Sequence, residues 1–549
     1  MALRDLIVLS VLTALFFGCF LGSRALSVPD EGRYVEIPRE MVVTGDYLTP
    51  RLNGVKYFEK PPLFYWFEAG TIKLFGLSEW SVRLGPALFA LFGCLAVYYA
   101  GTRMFGRMAG LMSACILATS VLYYALSRLI TLDMPVSVLL TASLLSFLLG
   151  TREPLGHARR LFFWCFYAFA ALATLTKGLI GIVIPGMIIF AWMLVTGEWR
   201  VLRSMYLPSG LALYLLIAAP WHIMVQRANP EFFQFYFIHE HFERYLTKVH
   251  GRFKPFWFFI PILLGGLLPW TAFLAQAVKH NLPRTWNDRK KNPEAMFLLL
   301  WAVLIFLFFS RSDSKLIPYI LPVVPPLALI IGKYLAEVWE GRHHYGIRCA
   351  TWFLVVLYAL FSIALIIAPH YRPEIDMHEL RPHLYAFAAI QLVTGVAVWV
   401  LRTKVGSRHT IGVLIISSAL FLILSNTLMP YIDTRTAKEL AVTLRPLLKP
   451  GDEVISYQTY YQDLPVYLER TITVVGWRGE LDFGSRQGDV SRWMIDDAEC
   501  WKRWNGPDTV FLVTSKTNYD TLLKNSGKSF NFVADSRRDI VLTNQRIHQ

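Results

Sequence analysis

The chain has 549 residues, of which 55% are hydrophobic and only 17% are charged, and its formal net charge is +15. This composition excludes an ordinary soluble protein and indicates a polytopic membrane protein. The basic excess contains no Lys/Arg run of the kind found in nucleic-acid binders, so no nucleic-acid partner is expected.

Apolar segments long enough to cross a bilayer recur along residues 1–430. On the rule that roughly 20 apolar residues span a bilayer, thirteen spans are predicted, near residues 5–24, 83–102, 108–127, 134–150, 161–176, 179–196, 206–222, 257–278, 295–310, 316–335, 349–368, 385–401 and 411–430. The first could instead be a signal peptide beginning near Arg4, but the spans would then be even in number and the charge pattern below would be lost.

Lys and Arg cluster in alternate short loops, which is typical of loops on the cytoplasmic side. The basic loop residues are Arg103, Arg107, Arg152, Arg159, Arg160, Arg200, Arg203, Lys279, Arg284, Arg289, Lys290, Lys291, Arg342, Arg348, Arg402, Lys404 and Arg408. This pattern predicts a cytoplasmic N-terminus and, with an odd number of spans, a tail on the external side.

The same topology gathers ionisable residues on the external face. They are Asp30, Glu59, Lys60, Asp133, Lys177, His222, Arg244 and Lys315. Charged groups at a membrane boundary are energetically costly, so they are found there mainly where they are solvated or take part in binding or catalysis. We therefore expect a functional site on this face.

Three external segments lie between the spans. Residues Asp30 to Val43 predict an amphipathic helix lying on the membrane, with Asp30 as a possible N-cap. Residues Leu63 to Gly76 predict a second interfacial helix that is too polar to span. The aromatic loop 223–256 fits either a mobile lid or a membrane-surface anchor.

The polar tail, residues 431–549, predicts a small soluble α/β domain. A helical pattern covers Thr436–Leu448, and strand-like runs follow at Glu453–Tyr457, Thr471–Val475, Thr509–Val513 and Ile540–Leu542. Cys500 is the only cysteine in the tail, so no disulfide forms within it. The chain thus divides into a transmembrane domain, 1–430, and a tail domain, 431–549.

The external residues suit glycosyl transfer from a lipid phosphate, which needs cations on the leaving phosphate and a carboxylate near the acceptor. Arg33, Lys60 and Arg244 could supply the cations, and Asp30 and Asp133 the carboxylate. Each residue also has a structural interpretation, as a helix cap, a headgroup anchor or half of an ion pair. No cofactor is certain, and a divalent cation stays open. The pair His239 and His241 diverges on a helix and is a poor metal site.

Taken as an ordered set, the external motifs resemble the bacterial 4-amino-4-deoxy-L-arabinose lipid A transferases, grouped with the protein O-mannosyltransferases in the GT-C superfamily. The motifs are Asp30-Glu31-Gly32-Arg33-Tyr34, Phe58-Glu59-Lys60-Pro61-Pro62, Thr131-Leu132-Asp133, Thr176-Lys177-Gly178, Pro220-Trp221-His222, Lys315-Leu316-Ile317-Pro318-Tyr319 and, less diagnostic, Gln462-Asp463-Leu464-Pro465-Val466-Tyr467-Leu468.

The resemblance implies a GT-C fold and an inverting enzyme of the bacterial inner membrane. It would move the aminosugar from undecaprenyl phosphate to a lipid A phosphate on the periplasmic side. It implies that Asp30 and Asp133 are at the reaction centre and that Arg33, Lys60 and Arg244 hold the carrier phosphate. The implied cavity residues are Glu31, Tyr34, Glu59, Lys177, His222, Lys315 and Tyr319.

Two other functions stay open at this point. One is transfer of another polyprenyl-phosphate sugar, such as mannose, to a hydroxyl of a protein, glycan or lipid, for which Asp30 would be the natural base. The other is transport of a lipid-linked sugar. Transporters are expected to show internal repeats and charges at mid-membrane depth, and neither is evident here.

Overall fold

The structure is a computed structural model and describes residues 3–243, 254–342, 344–371, 377–433, 435–524 and 526–546. The chain divides into two compact units, each built from separate stretches. The first unit comprises Met1–Leu21, Pro86–Met224 and Phe233–Leu428. The second comprises Gly22–Gly85, Val225–Phe232 and Met429–Gln549.

Helices dominate the chain up to residue 432. In chain order they are α1 (Leu3–Gly18), α2 (Asp30–Thr44), α3 (Leu63–Phe75), α4 (Glu79–Phe105), α5 (Arg107–Ala118), α6 (Val121–Leu126), α7 (Asp133–Arg152), α8 (His157–Lys177), α9 (Ile180–Thr196), α10 (Val201–Ser204), α11 (Leu207–Ala228), α12 (Phe259–Gly266), α13 (Thr271–Asn281), α14 (Pro293–Arg311), α15 (Val324–Trp339), α16 (His344–Tyr371), α17 (Met377–Lys404), α18 (Ser407–Ser425) and α19 (Met429–Ile432).

Among the described residues, nine helices are long and apolar enough to cross a membrane, or ten spans if the bent pair Phe256–Gly266 and Thr271–Asn281 counts as one. Three further predicted spans correspond to the shorter helices α1, α5 and α9. Every predicted segment is therefore helical, but the predicted count of thirteen spans is not confirmed. The segment predicted at 108–127 is interrupted, because α5 ends at Ala118 and α6 begins at Val121.

Small residues bring helices of the first unit into close contact. A Cβ atom on Gly110 of α5 would lie 2.6 Å from the carbonyl oxygen of Tyr98 in α4, and one on Gly101 would lie 2.9 Å from Cα of Gly110. Backbones approach this closely only where side chains are minimal, which is common between membrane helices.

The second unit contains a short hairpin and a six-stranded sheet. The hairpin strands are β1 (Arg51–Leu52) and β2 (Val55–Lys56). The sheet strands are β3 (Glu453–Tyr457), β4 (Thr473–Val475), β5 (Met494–Ile495), β6 (Val510–Ser515), β7 (Asn531–Asp535) and β8 (Asp539–Thr543), in the order β5-β4-β3-β6-β8-β7.

The sheet is mixed. Strands β5, β4, β3 and β6 are parallel, with Ile455 opposite Thr473 and Val454 opposite Phe511, while β8 pairs antiparallel with both β6 and β7. Helix α20 (Lys438–Leu444) precedes β3, and the helices that lie between successive strands are α21 (Leu464–Leu468), α22 (Asp482–Ser485), α23 (Asp497–Trp504) and α24 (Lys516–Asn518). The four predicted strands are present, and β5 and β7 are additional.

Helix α2 is less exposed than the amphipathic pattern predicts. Its apolar stripe is buried, and so are Glu36, Arg39 and Glu40 on the polar face. Arg39 donates to both Glu36 oxygens at 2.7 and 2.6 Å, and Glu40 accepts from the backbone N–H of Gly54 at 2.9 Å. The predicted exposure of the polar face is therefore wrong, because these residues find internal partners, while the position of the helix on the membrane stays a prediction. Helix α3 forms as predicted.

Candidate active site

Asp30 is the first residue of α2 and carries an accessible carboxylate. Its side chain is 59% exposed, and its Oδ1 atom lies 3.8 Å from Nη1 of Arg33, one turn along the helix. Pro29 occupies the N-cap position, and no side chain caps the helix. The alternative interpretation of Asp30 as the N-cap is therefore wrong, and its carboxylate is available for chemistry.

Arg33 is a largely buried cation whose position is fixed. Its Nη2 atom lies 2.5 Å from Oε2 of Glu480, and its side chain is 13% exposed. Its guanidinium carbon lies 5.8 Å from the centre of the Tyr34 ring. The Nε atom is buried and has no hydrogen-bond partner among the described residues. Burial raises the pKa of the Glu480 carboxyl, an effect that Arg33 opposes.

Glu31 lies on the inner side of the same helix turn. Arg83 donates to its two oxygens at 3.1 and 3.0 Å, Arg24 donates to them at 2.9 and 2.6 Å, and the backbone N–H of Ser27 donates at 3.0 Å. Burial alone would raise the pKa of Glu31, but the two guanidiniums lower it to about 2. This placement favours an anchoring role for Glu31 over the predicted contact with substrate.

The hairpin positions the second motif. Asn53 and Gly54 form its turn with φ of 53° and 75°, values that suit asparagine and glycine. The Asn53 amide donates to the carbonyl of Ile472 at 2.9 Å and accepts from its N–H at 3.0 Å, which ties the hairpin to the sheet. A few residues later, the Lys60 ammonium donates to the carbonyl oxygen of Glu59 at 2.7 Å.

Tyrosines surround Arg33. The rings of Tyr34 and Tyr65 stack with centres 6.1 Å apart. The hydroxyl groups of Tyr57 and Tyr65 are buried without hydrogen-bond partners among the described residues. Burial raises the pKa of both tyrosines well above the usual value. Sequence reasoning found Tyr34 in its motif but missed Tyr57 and Tyr65, although Tyr57 directly precedes Phe58-Glu59-Lys60.

Two residues of the tail complete this cluster. Glu480 pairs with Arg33, and the Gln462 amide donates to Oε1 of Glu480 at 2.9 Å. The motif that contains Gln462 was singled out from the sequence without a role, and nothing in the sequence marked Glu480. Arg33 is therefore held by side chains that follow it by more than 400 residues.

The first unit brings together Asp133, Lys177 and Tyr319. Asp133 begins α7 and Lys177 ends α8, where Gly178 takes a φ of 84° that stops the helix. The Lys177 ammonium lies 2.5 Å from Oδ1 of Asp133 and 4.8 Å from the centre of the Tyr319 ring. Both charged side chains are about one-seventh exposed. Three residues predicted from separate motifs thus form one partly accessible group.

Lys315 and His222 are two further predicted residues of the first unit. The Lys315 side chain is 4% exposed and donates to the carbonyl oxygen of Lys254 at 2.9 Å. The ring of His222 lies beside two aromatic rings. Its centre is 5.8 Å from the centre of the Tyr236 ring and 6.0 Å from that of the Phe237 ring. The contact of 2.7 Å between Nδ1 of His222 and the carbonyl of Ala218 makes Nδ1 the protonated nitrogen.

Three residues singled out from the sequence lie wholly or partly outside the described residues. Arg244 is not among the described residues, and the side chains of His239 and His241 are likewise outside them. Across the described parts of the chain, no group of three or more His, Cys, Asp or Glu side chains could hold a metal ion. The predicted phosphate contact of Arg244 stays a prediction.

Both units therefore carry the groups that transfer from a lipid phosphate requires. Arg33 and Lys60 in the second unit are cations, and Asp30 is an exposed carboxylate beside Arg33. In the first unit, Lys177 and Asp133 provide a further cation and carboxylate. Such sets stabilise negative charge that develops on a phosphate and positive charge that develops on a sugar.

Comparison with known proteins gives the family. Residues 59–224 match the family model described as dolichyl-phosphate-mannose-protein mannosyltransferase, and residues 440–544 match the aminoarabinose transferase C-terminal domain. An undecaprenyl phosphate-alpha-4-amino-4-deoxy-L-arabinose arabinosyl transferase of Aeromonas salmonicida is 31% identical, and the match covers 73% of each chain. The chain belongs to this arabinosyl transferase family.

The similarity extends over the full length. The arabinosyl transferase of Pectobacterium atrosepticum is 28% identical over 93% of each chain. The crystal structure of ArnT from Cupriavidus metallidurans bound to undecaprenyl phosphate superposes with a TM-score of 0.86 at 30% identity, covering 99% of both chains. Membership in the arabinosyl transferase family confirms the resemblance seen in the sequence, the enzyme class, and the predicted GT-C fold of a polytopic helical membrane protein with a C-terminal α/β domain.

Proposed function

We propose that this protein moves 4-amino-4-deoxy-L-arabinose from undecaprenyl phosphate to a lipid A phosphate at the periplasmic face of a bacterial inner membrane. The observation that carries the proposal is the full-length similarity to arabinosyl transferases whose names state this donor. The related ArnT crystal structure has undecaprenyl phosphate bound.

The reaction exchanges one sugar–phosphate bond for another. An oxygen of the acceptor phosphate attacks C1 of the sugar, the bond from C1 to the carrier-phosphate oxygen breaks, and undecaprenyl phosphate leaves with that electron pair. Attack opposite the leaving group inverts C1. Because a phosphate monoester is largely ionised at neutral pH, the acceptor needs no general base.

The leaving phosphate gains charge as the bond breaks, so cations at its oxygens lower the barrier. We assign this role to Arg33 and Lys60, with Arg244 as a third cation on the sequence resemblance alone. Arg33 suits the role because Glu480 fixes it while its Nε–H has no partner among the described residues. Asp30 then orients the aminosugar or stabilises positive charge at C1.

The Asp133 and Lys177 pair provides the second half of the chemistry. We assign Lys177 to the acceptor phosphate as a cation and Asp133 to the reaction centre as a carboxylate that also holds Lys177. We further assign Tyr319 and Glu59 to the lining of the cavity. His222 and Lys315 stay predicted members of the same lining.

The orientation of the chain is also part of the proposal. The alternation of basic loops supports a cytoplasmic N-terminus, which with an odd number of spans gives a periplasmic tail. The change of composition after residue 430 supports a transmembrane catalytic domain, 1–430, and a periplasmic α/β domain, 431–549. The six strands of the mixed sheet lie between residues 453 and 543.

Transfer to a hydroxyl is the alternative, and the match of residues 59–224 to a mannosyltransferase family model favours it. A hydroxyl acceptor would need a base, and Asp30 is exposed enough to serve. The aminoarabinose transferase match of residues 440–544 and the relatives named for the aminoarabinose donor favour aminoarabinose over mannose as the transferred sugar.

A reconstituted assay tests the proposal. Purified protein in lipid is given undecaprenyl-phosphate aminoarabinose and lipid A, and modified lipid A is measured by mass spectrometry. Asp30→Asn and Lys60→Ala should each abolish transfer, whereas the exposed controls Asp520→Asn and Lys502→Ala should transfer at the wild-type rate. Transfer by both site variants at the wild-type rate would refute the site, and no transfer by the wild type would refute the function.

A further inference from the structure

The backbone of the tail touches α2 at its single glycine. A Cβ atom on Gly32 would lie 2.5 Å from the backbone nitrogen of Asp463 and 2.6 Å from the carbonyl carbon of Gln462. Only a residue without a side chain allows this approach. The turn at Gln462 and Asp463 therefore lies directly against the helix turn that carries Asp30 and Arg33.

From this turn a hydrogen-bond relay leads to Arg33. The Gln462 amide donates to Oε1 of Glu480 at 2.9 Å, and Oε2 of Glu480 lies 2.5 Å from Nη2 of Arg33. Because a carboxylate only accepts hydrogen bonds, the amide nitrogen of Gln462 must face Glu480. The Gln462 side chain is 4% exposed, and its own Oε1 is buried without a partner among the described residues.

The turn itself is held in place. Oδ2 of the buried Asp463 accepts from the backbone N–H of Ala437 at 2.7 Å and from the hydroxyl of Thr436 at 2.8 Å, just before α20. Further along, the Tyr467 hydroxyl accepts from the backbone N–H of Leu26 at 2.8 Å, ahead of α2. A fixed turn lets Gln462 present its N–H in one direction.

We propose that Gln462 is a positioning residue for the transfer reaction: it orients the Glu480 carboxylate, which in turn aims the Arg33 guanidinium at the phosphate of the lipid carrier. This inference rests on the proposed function for the identity of the phosphate. It assigns the soluble tail a direct part in the reaction, because the relay begins in the tail and ends on α2.

Two substitutions at one position test the relay. Gln462→Met keeps the volume and removes the donor, so Glu480 loses the hydrogen bond from the amide. We expect kcat to fall about tenfold at every pH, since a hydrogen bond to a charged group is lost. The KM for the donor should change by less than about threefold, because the leaving phosphate gains charge only in the transition state.

Gln462→Glu places two carboxylates within hydrogen-bond distance, where they share a proton. The protonated form donates as the amide does, and the ionised form repels Glu480. Activity should therefore approach the wild-type value near pH 6 and fall by about tenfold near pH 8. The charges of Arg33, Glu59 and Asp30 influence the Glu480 carboxylate in every variant. A pH dependence of activity that appears in Gln462→Glu but not in Gln462→Met therefore comes from the carboxyl group introduced at position 462.

Gln458 provides the matched control, because its amide faces Asp497 at 3.2 and 3.4 Å on the tail surface. Gln458→Met and Gln458→Glu should keep the wild-type rate and pH profile. The relay is refuted if Gln462→Met transfers at the wild-type rate, or if Gln462→Glu shows the same pH profile as Gln462→Met.

Affinity for undecaprenyl phosphate, measured on the same purified proteins, separates the two proposals. If the wild type does not transfer aminoarabinose, the proposed function fails, and the relay is judged by affinity alone. An affinity for undecaprenyl phosphate that is about tenfold weaker and pH-dependent in Gln462→Glu would then support the relay. Unchanged affinity in both Gln462 variants would refute the relay.

Discussion

At the scale of single residues, the pair of Asp133 and Lys177 is the sharpest test of the site. Asp133→Asn should lower kcat by at least about a hundredfold, because the proposed site loses a carboxylate assigned to the reaction centre. Exchanging the charges in the double variant Asp133→Lys and Lys177→Asp should restore thermal stability without restoring transfer. Recovery of transfer in the exchanged protein would show that the pair, 2.5 Å apart, serves only the fold.

Glu31 should matter for stability through its two guanidinium partners. Glu31→Gln removes the charge that both Arg24 and Arg83 contact in a buried position, which should cost about 3 kcal/mol near pH 7. Its folded pKa of about 2 lies below the ordinary value of 4.5. The stability it contributes is therefore present above about pH 4.5 and is lost as pH falls towards 2.

Thermal unfolding in detergent checks this prediction. The melting temperatures of wild type and Glu31→Gln should differ most near neutrality and converge in acid. The control is Glu469→Gln, since Glu469 pairs with Arg445 at 2.6 Å but is 52% exposed. Equal melting temperatures for Glu31→Gln and wild type at pH 7 would contradict the anchoring role.

Sequence reasoning found the residues of the site that sit in compact motifs and missed those that depend on tertiary contacts. Asp30, Arg33 and Tyr34 stand within five positions of one another, and a short motif reveals them. Glu480 and Gln462 become part of the site only because the tail packs against Gly32. Glu31 shows a second limit: it lies in the same motif, but adjacent residues of a helix point about 100° apart, and its carboxylate contacts Arg24 and Arg83 instead.

At the scale of elements, the contact between α4 and α5 should be intolerant of even one methyl group. A Cβ on Gly110 would lie 2.6 Å from the Tyr98 carbonyl and 2.7 Å from the Thr102 nitrogen, so Gly110→Ala should force the helices apart and cost about 2 kcal/mol. Gly186 of α9 has nothing within 4 Å of the equivalent position. Gly186→Ala should be neutral or stabilising, as expected for alanine in a helix.

Melting temperatures in detergent compare the two alanine variants. Gly110→Ala should melt below the wild type, and Gly186→Ala should not. If both variants melt at the wild-type temperature, the close approach of α4 and α5 is not a stabilising contact.

Hydropathy located the helices well because burial in lipid requires long apolar segments. It could not count the spans, since α5 has only 12 residues and the pair Phe256–Gly266 and Thr271–Asn281 is bent by 106°. Strand β5 was missed because its two residues carry no alternating pattern. The exposure of α2 was misjudged because Arg39 and Glu36 on its polar face pair with one another inside the protein.

At the scale of the whole molecule, the proposed orientation is open to direct labelling. In a variant without the six native cysteines, Asp520→Cys in the tail should react with a membrane-impermeant maleimide in intact cells. Lys290→Cys, in a basic loop, should react only after the membrane is disrupted. The reverse pattern would place the tail in the cytoplasm and contradict a periplasmic active site.

Addition of aminoarabinose to lipid A is the activity proposed for this chain. The most direct test is mass spectrometry of lipid A from a bacterial host that makes the undecaprenyl-linked aminosugar but lacks its own transferase. Expression of the wild-type chain should add the mass of an aminopentose to lipid A, and expression of Asp30→Asn at the same membrane level should not. Lipid A of unchanged mass, with the wild-type protein present in the membrane and the donor confirmed, would contradict the account.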